Sequence, residues 1–235
     1  MTFQHVTKKQ MSEVDRISEK QFGLPVLQMM ENAGRNMSVL VNTIAKNEPK
    51  NITVIYGKGN NGGDGLAAAR HLQIRGHKVT LIPADPEKRL GENTKQQLKI
   101  LKKSGLKNSK KPSKKQDMII DALLGYNLKG EPHKEYLDLI DWANEQKQNN
   151  KTKIVSFDIP SGLNADTGKP AESCIKADYT LTLGLPKKSF QNRESKRYVG
   201  KLYVANLGIP KEVFKKANIK VRKDLFSSGD IVKTN

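Results

Sequence analysis

The stretch Tyr56-Gly57-Lys58-Gly59-Asn60-Asn61-Gly62-Gly63-Asp64-Gly65 constrains this chain more than any other, because five glycines fall within residues 57–65 directly after an apolar run. Ile52, Thr53, Val54 and Ile55 read as a short buried strand rich in β-branched residues, and residues 66–72 read as a helix. The stretch is therefore a strand–loop–helix turn, with the helix expected to begin near Asp64 or Gly65. Glycine lets backbone N–H groups approach a ligand closely, and a helix N-terminus adds its positive dipole end, a combination that suits a phosphate or pyrophosphate. Two other readings compete. A tight turn needing positive φ at several positions would bind nothing, but five glycines exceed what one turn requires and each costs conformational entropy. Residues 57–62 also satisfy the G-x-G-x-x-G dinucleotide fingerprint, with Asp85 about where a ribose-binding acid is expected. The polar core from Asn60 to Asp64 separates these readings, since a Rossmann turn has no need of two amides and a carboxylate there.

The length, 235 residues, fits one large α/β domain able to bury a sizeable core. Lys and Arg outnumber Asp and Glu by 42 to 24, so the surface is lysine-coated and favours anionic partners such as dinucleotides or nucleic acid. The single cysteine, Cys174, excludes an internal disulfide and, with no His nearby in sequence, reads as a packing residue rather than a nucleophile. The N-terminus has no apolar signal-like region and no apolar run long enough to span a bilayer occurs, so a soluble, cytoplasmic protein is expected.

Thr7-Lys8-Lys9-Gln10 matches a capping box, with Val6 and Met11 at the staple positions and Met11, Val14 and Ile17 at helical spacing up to a closing Gly23. A second helix is expected over 26–45, with the small pair Ala33-Gly34 beside Asn32 letting another element or a ligand come close. Strands are expected at 78–82, 118–124, 153–158, 179–183 and 201–205, with helices over 93–104 and from Tyr136 to Ala143. This alternation predicts a mostly parallel sheet with helices on both faces. Residues 102–115 carry seven lysines and no acid and read as a solvated surface loop. Residues 1–226 form a single domain on this reading, and 227–235 a flexible tail.

Ligands of an open parallel sheet collect at the carboxyl ends of its strands. Three such ends carry unusual polar chemistry: Asn60, Asn61 and Asp64 after the first strand; Asp121 and the loop Gly125-Tyr126-Asn127-Leu128-Lys129-Gly130-Glu131 after the third; Asp158 and Ser161 after the fourth. Asp121 lies inside an apolar strand, where a carboxylate is costly unless paired, bound to a cation or capping a neighbouring loop. Asn61, Asp121 and Ser161 offer only oxygen ligands, which suits a hard cation and not zinc. Asp158 precedes Ile159-Pro160; the proline forces Ile159 to be extended and sets the acid at the strand's lip, making Asp158 the candidate general acid/base.

The run from Gly57 to Leu72, Asp121-Ala-Leu-Leu-Gly125, Phe157-Asp-Ile-Pro-Ser-Gly-Leu-Asn-Ala-Asp-Thr-Gly168 and Met30-Glu-Asn-Ala-Gly34 together resemble the NAD(P)H-hydrate epimerase family, also known as the YjeF N-terminal domain. The resemblance runs from the first helix to about Pro210, with the motifs in family order. It implies a Rossmann-like three-layer α/β/α sandwich, homodimeric, that interconverts the R and S forms of hydrated NADH or NADPH as an isomerase of nicotinamide nucleotide repair. It implies a bound potassium ion at Asn61, Asp121 and Ser161, and substrate against Asn60, Asn61, Gly62, Gly63 and Asp64, against Gly125, Tyr126, Asn127, Leu128, Lys129, Gly130 and Glu131, and against Asp158. Many members have glycine where Asn127 stands, and Asn tolerates left-handed backbone well enough for the loop to turn. Many microbial relatives fuse a dehydratase domain after this one; the chain is too short to hold it, so a separate dehydratase is the expected pathway partner.

In the hydrate the hydroxyl-bearing carbon is also bonded to the ring nitrogen, so inversion needs only reversible loss of the hydroxyl or reversible ring opening. One carboxylate that gives and takes a proton at that oxygen suffices, and Asp158 is the residue expected to do so. The alternative is a non-catalytic scaffold or RNA-associated protein on the same domain, which the lysine-rich loop would suit. A scaffold has no need of Asp121, Asp158 and Ser161 together, and all three are present, so neither nucleic acid nor membrane is the expected partner. A dehydrogenase would need a hydride acceptor site and a proton relay, and the sequence offers neither.

Overall fold

The computed structural model describes residues 3–112, 115–127, 130 and 132–234. Thr7 caps helix α1 (Lys8–Phe22): its side chain accepts from Gln10 N–H while the Gln10 side chain accepts from Thr7 N–H, and Gly23 closes the helix at φ +66°. Helix α2 (Val26–Ile44) and strand β1 (Asn51–Tyr56) follow, then helix α3 (Asn60–Ile74) and strand β2 (Lys78–Pro83). Helix α4 (Glu92–Lys103), strand β3 (Met118–Ala122), helix α5 (Lys134–Asn150) and strand β4 (Lys153–Phe157) complete the middle of the chain. Strand β5 (Tyr179–Leu183), the single turn α6 (Lys196–Val199), strand β6 (Lys201–Ala205), helix α7 (Lys211–Lys216) and strand β7 (Ile231–Lys233) end it.

Among the described residues the strands form one seven-stranded sheet in the order β2-β1-β3-β4-β5-β6-β7, with β1 to β6 parallel and β7 antiparallel to β6. Alternation along β1 divides the core. Ile52, Val54 and Tyr56 face the layer of α2, α3 and α4, and Ile55 faces α5 through Tyr136, Leu139 and Ile140. The three-layer α/β/α sandwich is thus the architecture that the strand–helix alternation predicts. Because β1 and β2 run outward one way and β3 onward the other, the β1/β3 boundary is a switch point where a crevice opens at the carboxyl ends.

The start of α3 and the C-terminal segment depart from the sequence reading. Helix α3 starts at Asn60 instead of near Asp64, so three glycines lie inside it. Each costs about 1 kcal/mol against alanine, and contact that only glycine permits offsets this. A Cβ on Gly62 would stand 1.9 Å from Gly57 O, one on Gly63 2.4 Å from Met30 Cε, and one on Gly65 2.4 Å from Ala122 Cβ. None of the three has positive φ, so close approach, not backbone conformation, selects them.

The segment from Ser227, read as a flexible tail, instead returns to the sheet as β7. Asn206 N–H donates to Asp230 O at 2.8 Å, Thr234 N–H donates to Leu202 O at 3.0 Å, and Val232 is buried. A three-residue strand with a single buried side chain leaves too short an alternation to read from sequence. Substituting Val232→Asp places a charge in the apolar cluster that Val232 shares with Phe3, Val204 and Phe214 and is expected to lower unfolding free energy by about 2 kcal/mol or more. Chemical denaturation of the variant checks it; a midpoint equal to that of the parent would mean the strand is dispensable.

Candidate functional site

Four strand ends converge on one cavity of about 900 Å³. It lies over the β1/β3 switch and is lined by Lys58 to Asn61 and Asp64 after β1, Leu123 to Asn127 after β3, Asp158 after β4, and Leu183 and Lys187 after β5. Met29, Met30 and Ala33 of α2, together with Leu207, supply an apolar wall.

Gly59 is the extended N-cap of α3 and makes no side-chain cap bond, and the first intrahelical bond of that turn is Gly63 N–H to Gly59 O at 3.2 Å. The N–H groups of Asn60, Asn61 and Gly62 thus precede the hydrogen-bonded ladder, in a turn whose residues Gly59 to Asn61 line the cavity. A helix N-terminus left this way carries positive partial charge toward the crevice.

Asp158 occupies left-handed backbone, φ +60°, with its own N–H donating to Leu181 O at 2.8 Å. A non-glycine residue held there stores of the order of 1–3 kcal/mol, and such strain gathers at working sites. The residue is 3% exposed and its carboxylate is surrounded by donors: Oδ1 accepts from Lys187 Nζ, from Leu183 N–H at 3.2 Å and from Thr182 Oγ1 at 3.4 Å, and Oδ2 from Tyr126 N–H at 3.3 Å. Lys187 is fully buried; its ammonium also donates to Thr182 Oγ1 and to the carbonyls of Leu183 and Leu185 at 3.1–3.2 Å, and lies 5.5 Å from the centre of the Tyr126 ring. Carbonyl oxygens can only accept, so this cage fits the charged ammonium.

The Tyr126 hydroxyl donates to Asp15 Oδ2 of α1 at 2.5 Å. Burial pushes the Asp15 carboxyl above its ordinary value, opposed by the Tyr126 bond and by Lys187. The Asp64 carboxyl makes no hydrogen bond among the described residues. Burial raises it well above the ordinary aspartate value, and the charges of Asp158 and Asp15 push in the same direction.

Asp121 lies beneath the floor, wholly buried. Its Oδ1 accepts from Ser161 Oγ at 2.5 Å and Leu123 N–H at 3.3 Å, and its Oδ2 from Ser156 Oγ at 2.8 Å and Ser161 N–H at 2.9 Å. Ser161 Oγ also accepts from Leu124 N–H at 2.9 Å. These bonds explain why β3 ends at Ala122 and not at the expected residue 124: the next two backbone donors turn to side chains. The carboxylate ties the ends of β3 and β4 together, and burial raises its pKa against the pull of these four neutral donors. Asn61 packs on Gly125, and its buried Nδ2 has no partner among the described residues.

A family model described as YjeF-related protein N-terminus matches residues 26–189. The chain belongs to that family. It is 36% identical to an NAD(P)H-hydrate epimerase of Dehalogenimonas lykanthroporepellens, over 97% of this chain and 91% of that one. It is 33% identical over 88% of its length to the bifunctional NAD(P)H-hydrate repair enzyme Nnr of Dictyoglomus turgidum, of which it spans 41%. The crystal structure of the yeast protein ynu0 (YNL200c) superposes with a TM-score of 0.83 at 25% identity, covering 98% of this chain and all of that one.

The positions that the YjeF-related resemblance singles out divide three ways. Asn60, Asn61, Asp64, Gly125, Tyr126, Asn127 and Asp158 line the cavity. Gly62 and Gly63 are buried against Gly57 and Met30, and Asp121 and Ser161 are buried under the floor. Gly130 is exposed at φ +69°, whereas Leu128, Lys129 and Glu131 lie outside the described residues. Asn127 keeps negative φ, so its tolerance of left-handed backbone is not used. Asp85 accepts from the Tyr136 hydroxyl behind the cavity wall and is not free for a ribose. Cys174 is buried and its thiol is pushed up by burial, as a packing residue should be. Asn32 and Gly34 serve packing: Asn32 Nδ2 donates to Leu207 O at 2.9 Å, and a Cβ on Gly34 would meet Ala67 Cβ at 2.6 Å.

Sequence reasoning missed Lys187 and Asp15. Lys187 sits in a Lys187-Lys188 pair among 42 basic residues, and nothing in sequence marks it as buried. Asp15 carried a signal, since it falls at helical spacing with Met11 and Ser18 on the buried face of α1.

Two stability effects follow from these environments. Lys187→Met strands the Asp158 carboxylate without its cation and is expected to cost about 3–5 kcal/mol, as for other broken buried pairs, measured by denaturant unfolding; a loss under about 1 kcal/mol would show that the pair is not needed. Asp64 has the opposite sign. The folded state holds its proton more tightly than the unfolded chain, so its contribution is most favourable at low pH and is lost as pH rises from the ordinary aspartate value toward the raised one. Asp64→Asn is therefore expected to melt no lower than the parent at pH 7 and to flatten the decline of stability across that window; a lower melting temperature at neutral pH would contradict the assignment.

Proposed function

We propose that this chain is an NAD(P)H-hydrate epimerase, an isomerase that interconverts the R and S forms of hydrated NADH and NADPH at the hydroxyl-bearing ring carbon. One observation carries the reading: a strained carboxylate, Asp158, faces the uncapped start of α3 across a cavity sized for a nucleotide, in a chain related along nearly its whole length to enzymes of that name.

The substrate's two ends differ in chemistry and meet different walls. The α3 N-terminus and Lys58 receive the pyrophosphate, and the apolar wall of Met29, Met30 and Leu207 packs the rings. Asp158 hydrogen-bonds the hydroxyl of the hydrate. It gives and takes a proton at that oxygen while the hydroxyl is reversibly lost or the ring reversibly opened, with no carbon-bound proton removed. Lys187, Thr182 and the two backbone N–H groups fix which carboxylate oxygens face the reaction.

The donor set around Asp121 fits a potassium ion. Asn61, Asp121 and Ser161 can supply hard oxygens, and the Asp121 carboxylate has four neutral donors and no cationic partner among the described residues. Bound there, the ion would neutralise a buried carboxylate and strengthen the field on the anionic dinucleotide.

No helix among the described residues is long and apolar enough to cross a membrane. We place the enzyme in the cytoplasm as a homodimer, handing its product epimer to a separate dehydratase, consistent with the bifunctional repair enzyme that this chain matches over only part of its length.

Purified protein given a single epimer of NADHX and followed by chromatography is expected to form the second epimer faster than the spontaneous reaction. Asp158→Asn should lower that rate by about 10²-fold or more, and exchanging potassium for a large organic cation should slow it. No acceleration by correctly folded parent protein would sink the reading.

A further inference from the structure

The Asp158 carboxylate is not alone in the cavity. Asp64 lines the same space from α3, 7% exposed, and Asp158 enters from the end of β4, with the end of β3 between β1 and β4 in the sheet order. The two differ in company. Asp158 is held by Lys187, Thr182 and the N–H groups of Tyr126 and Leu183, all donors to a charged carboxylate. Asp64 has no hydrogen-bond donor among the described residues. The carboxyls of Asp158 from β4 and Asp15 from α1 act on it, and both disfavour a charge on it. The other acid on the neighbouring helix, Glu31 of α2, is turned to Arg70 and His71. Helix α4 presents the neutral Thr94, bonded to Gly59 O at 2.9 Å. Of the cations that line the cavity, Arg16 is held by Glu13 and Lys187 by Asp158, and neither these nor Lys58 donates to Asp64, so Asp64 stands as a neutral acid beside Asp158.

We propose that Asp64 is a second catalytic residue, the proton donor to the oxygen of the hydrate, paired with Asp158 as proton acceptor, so that inversion proceeds by loss and readdition of water. This rests on the epimerase reading and deepens it. Asp64 gives its proton to the departing hydroxyl. The carbon–oxygen bond breaks with its electron pair leaving on water, and the ring-nitrogen lone pair forms the carbon–nitrogen double bond. A water then adds to the same carbon from the other face while Asp158 takes its surplus proton. Asp64 ends as carboxylate and Asp158 as carboxylic acid, and the reverse conversion, or exchange with solvent, restores the pair. Two acids of opposite protonation let an oxygen leave one face and arrive at the other without one carboxylate having to serve both.

The test is kinetic and isotopic on the purified full chain, with NADHX as substrate. Asp64→Asn, which keeps the shape and is expected to fold, should lose about 10²-fold or more in kcat with KM changed by less than about threefold. The parent's rate should fall at alkaline pH, where Asp64 loses its proton, and the residual rate of the variant should lack that limb. In water enriched in oxygen-18, each inversion by the parent should bring one labelled oxygen into the product. The infrared difference spectrum between parent and variant at neutral pH should contain the carbonyl band of a protonated carboxylic acid. A variant with kcat within about threefold of the parent, a loss confined to KM, inversion with the original oxygen retained, or absence of that band would each overturn the proposal. All of these outcomes are read only where the parent accelerates epimerisation, so they are separate from failure of the epimerase reading itself.

Discussion

Helix α3 lies closer to its surroundings than any side chain would permit, and the site exists because of that approach. Gly57 has Leu123 O where a Cβ would be, at 2.2 Å, Gly62 has Gly57 O, and Gly65 has Ala122 Cβ. Across its other side Gly63 meets Met30, and Gly34 of α2 meets Ala67. The consequence is positional: the helix begins directly over the β1/β3 switch point, so its unpaired N–H groups and Asp64, about one turn in, address the same crevice. A helix displaced outward by the width of a methyl group would keep the fold and lose this alignment.

The second constraint is electrostatic and sits two strands away. A fully buried lysine is tolerated only when its donors are all met, and Lys187 meets them with one carboxylate, one hydroxyl and two carbonyls of its own loop. That cage orients Asp158, whose left-handed backbone aims the side chain across the strand ends instead of into the sheet. Tyr126 ties the arrangement to the N-terminal helix: its backbone N–H reaches Asp158, its ring lies under Lys187, and its hydroxyl reaches Asp15. Asp15 and Lys187 thus lie far apart in sequence yet are joined through one tyrosine.

Much of the fold was legible because its signals are local. The capping box at Thr7, the β-branched runs of the central strands and Gly23 each state their element within a few residues. The early start of α3 was not legible, since glycine propensity argues against helix and only the atoms opposite each glycine, from residues far off in sequence, overrule it. Strand β7 escaped for the same reason: its partner β6 supplies the hydrogen bonds that its own composition does not announce. In the site, glycine-loop and strand-end residues were visible by their odd polar chemistry, whereas Lys187 was hidden because a buried lysine and a surface lysine are spelled alike. Asp121 shows a further limit. Sequence marks it as a costly buried acid, and only the structure reveals that four neutral donors satisfy it as it ties two strand ends.

The charge distribution inverts between surface and cavity, and this has a consequence for how a dinucleotide can lie. The chain carries a formal net charge of +18, which draws anions toward it over distances of the order of the Debye length, about 8 Å at physiological salt. Inside, Asp15, Asp64 and Asp158 line the cavity; of its lining cations Lys187 is bonded to Asp158, whereas Arg16 is turned to Glu13. Phosphates are repelled by these carboxyls and attracted to the first backbone N–H groups of α3 and to Lys58. A substrate with two phosphates in its middle and a neutral hydrated ring at one terminus is therefore sorted by sign: the phosphates stop at the helix, and the uncharged ring is the part that can pass on to the acids.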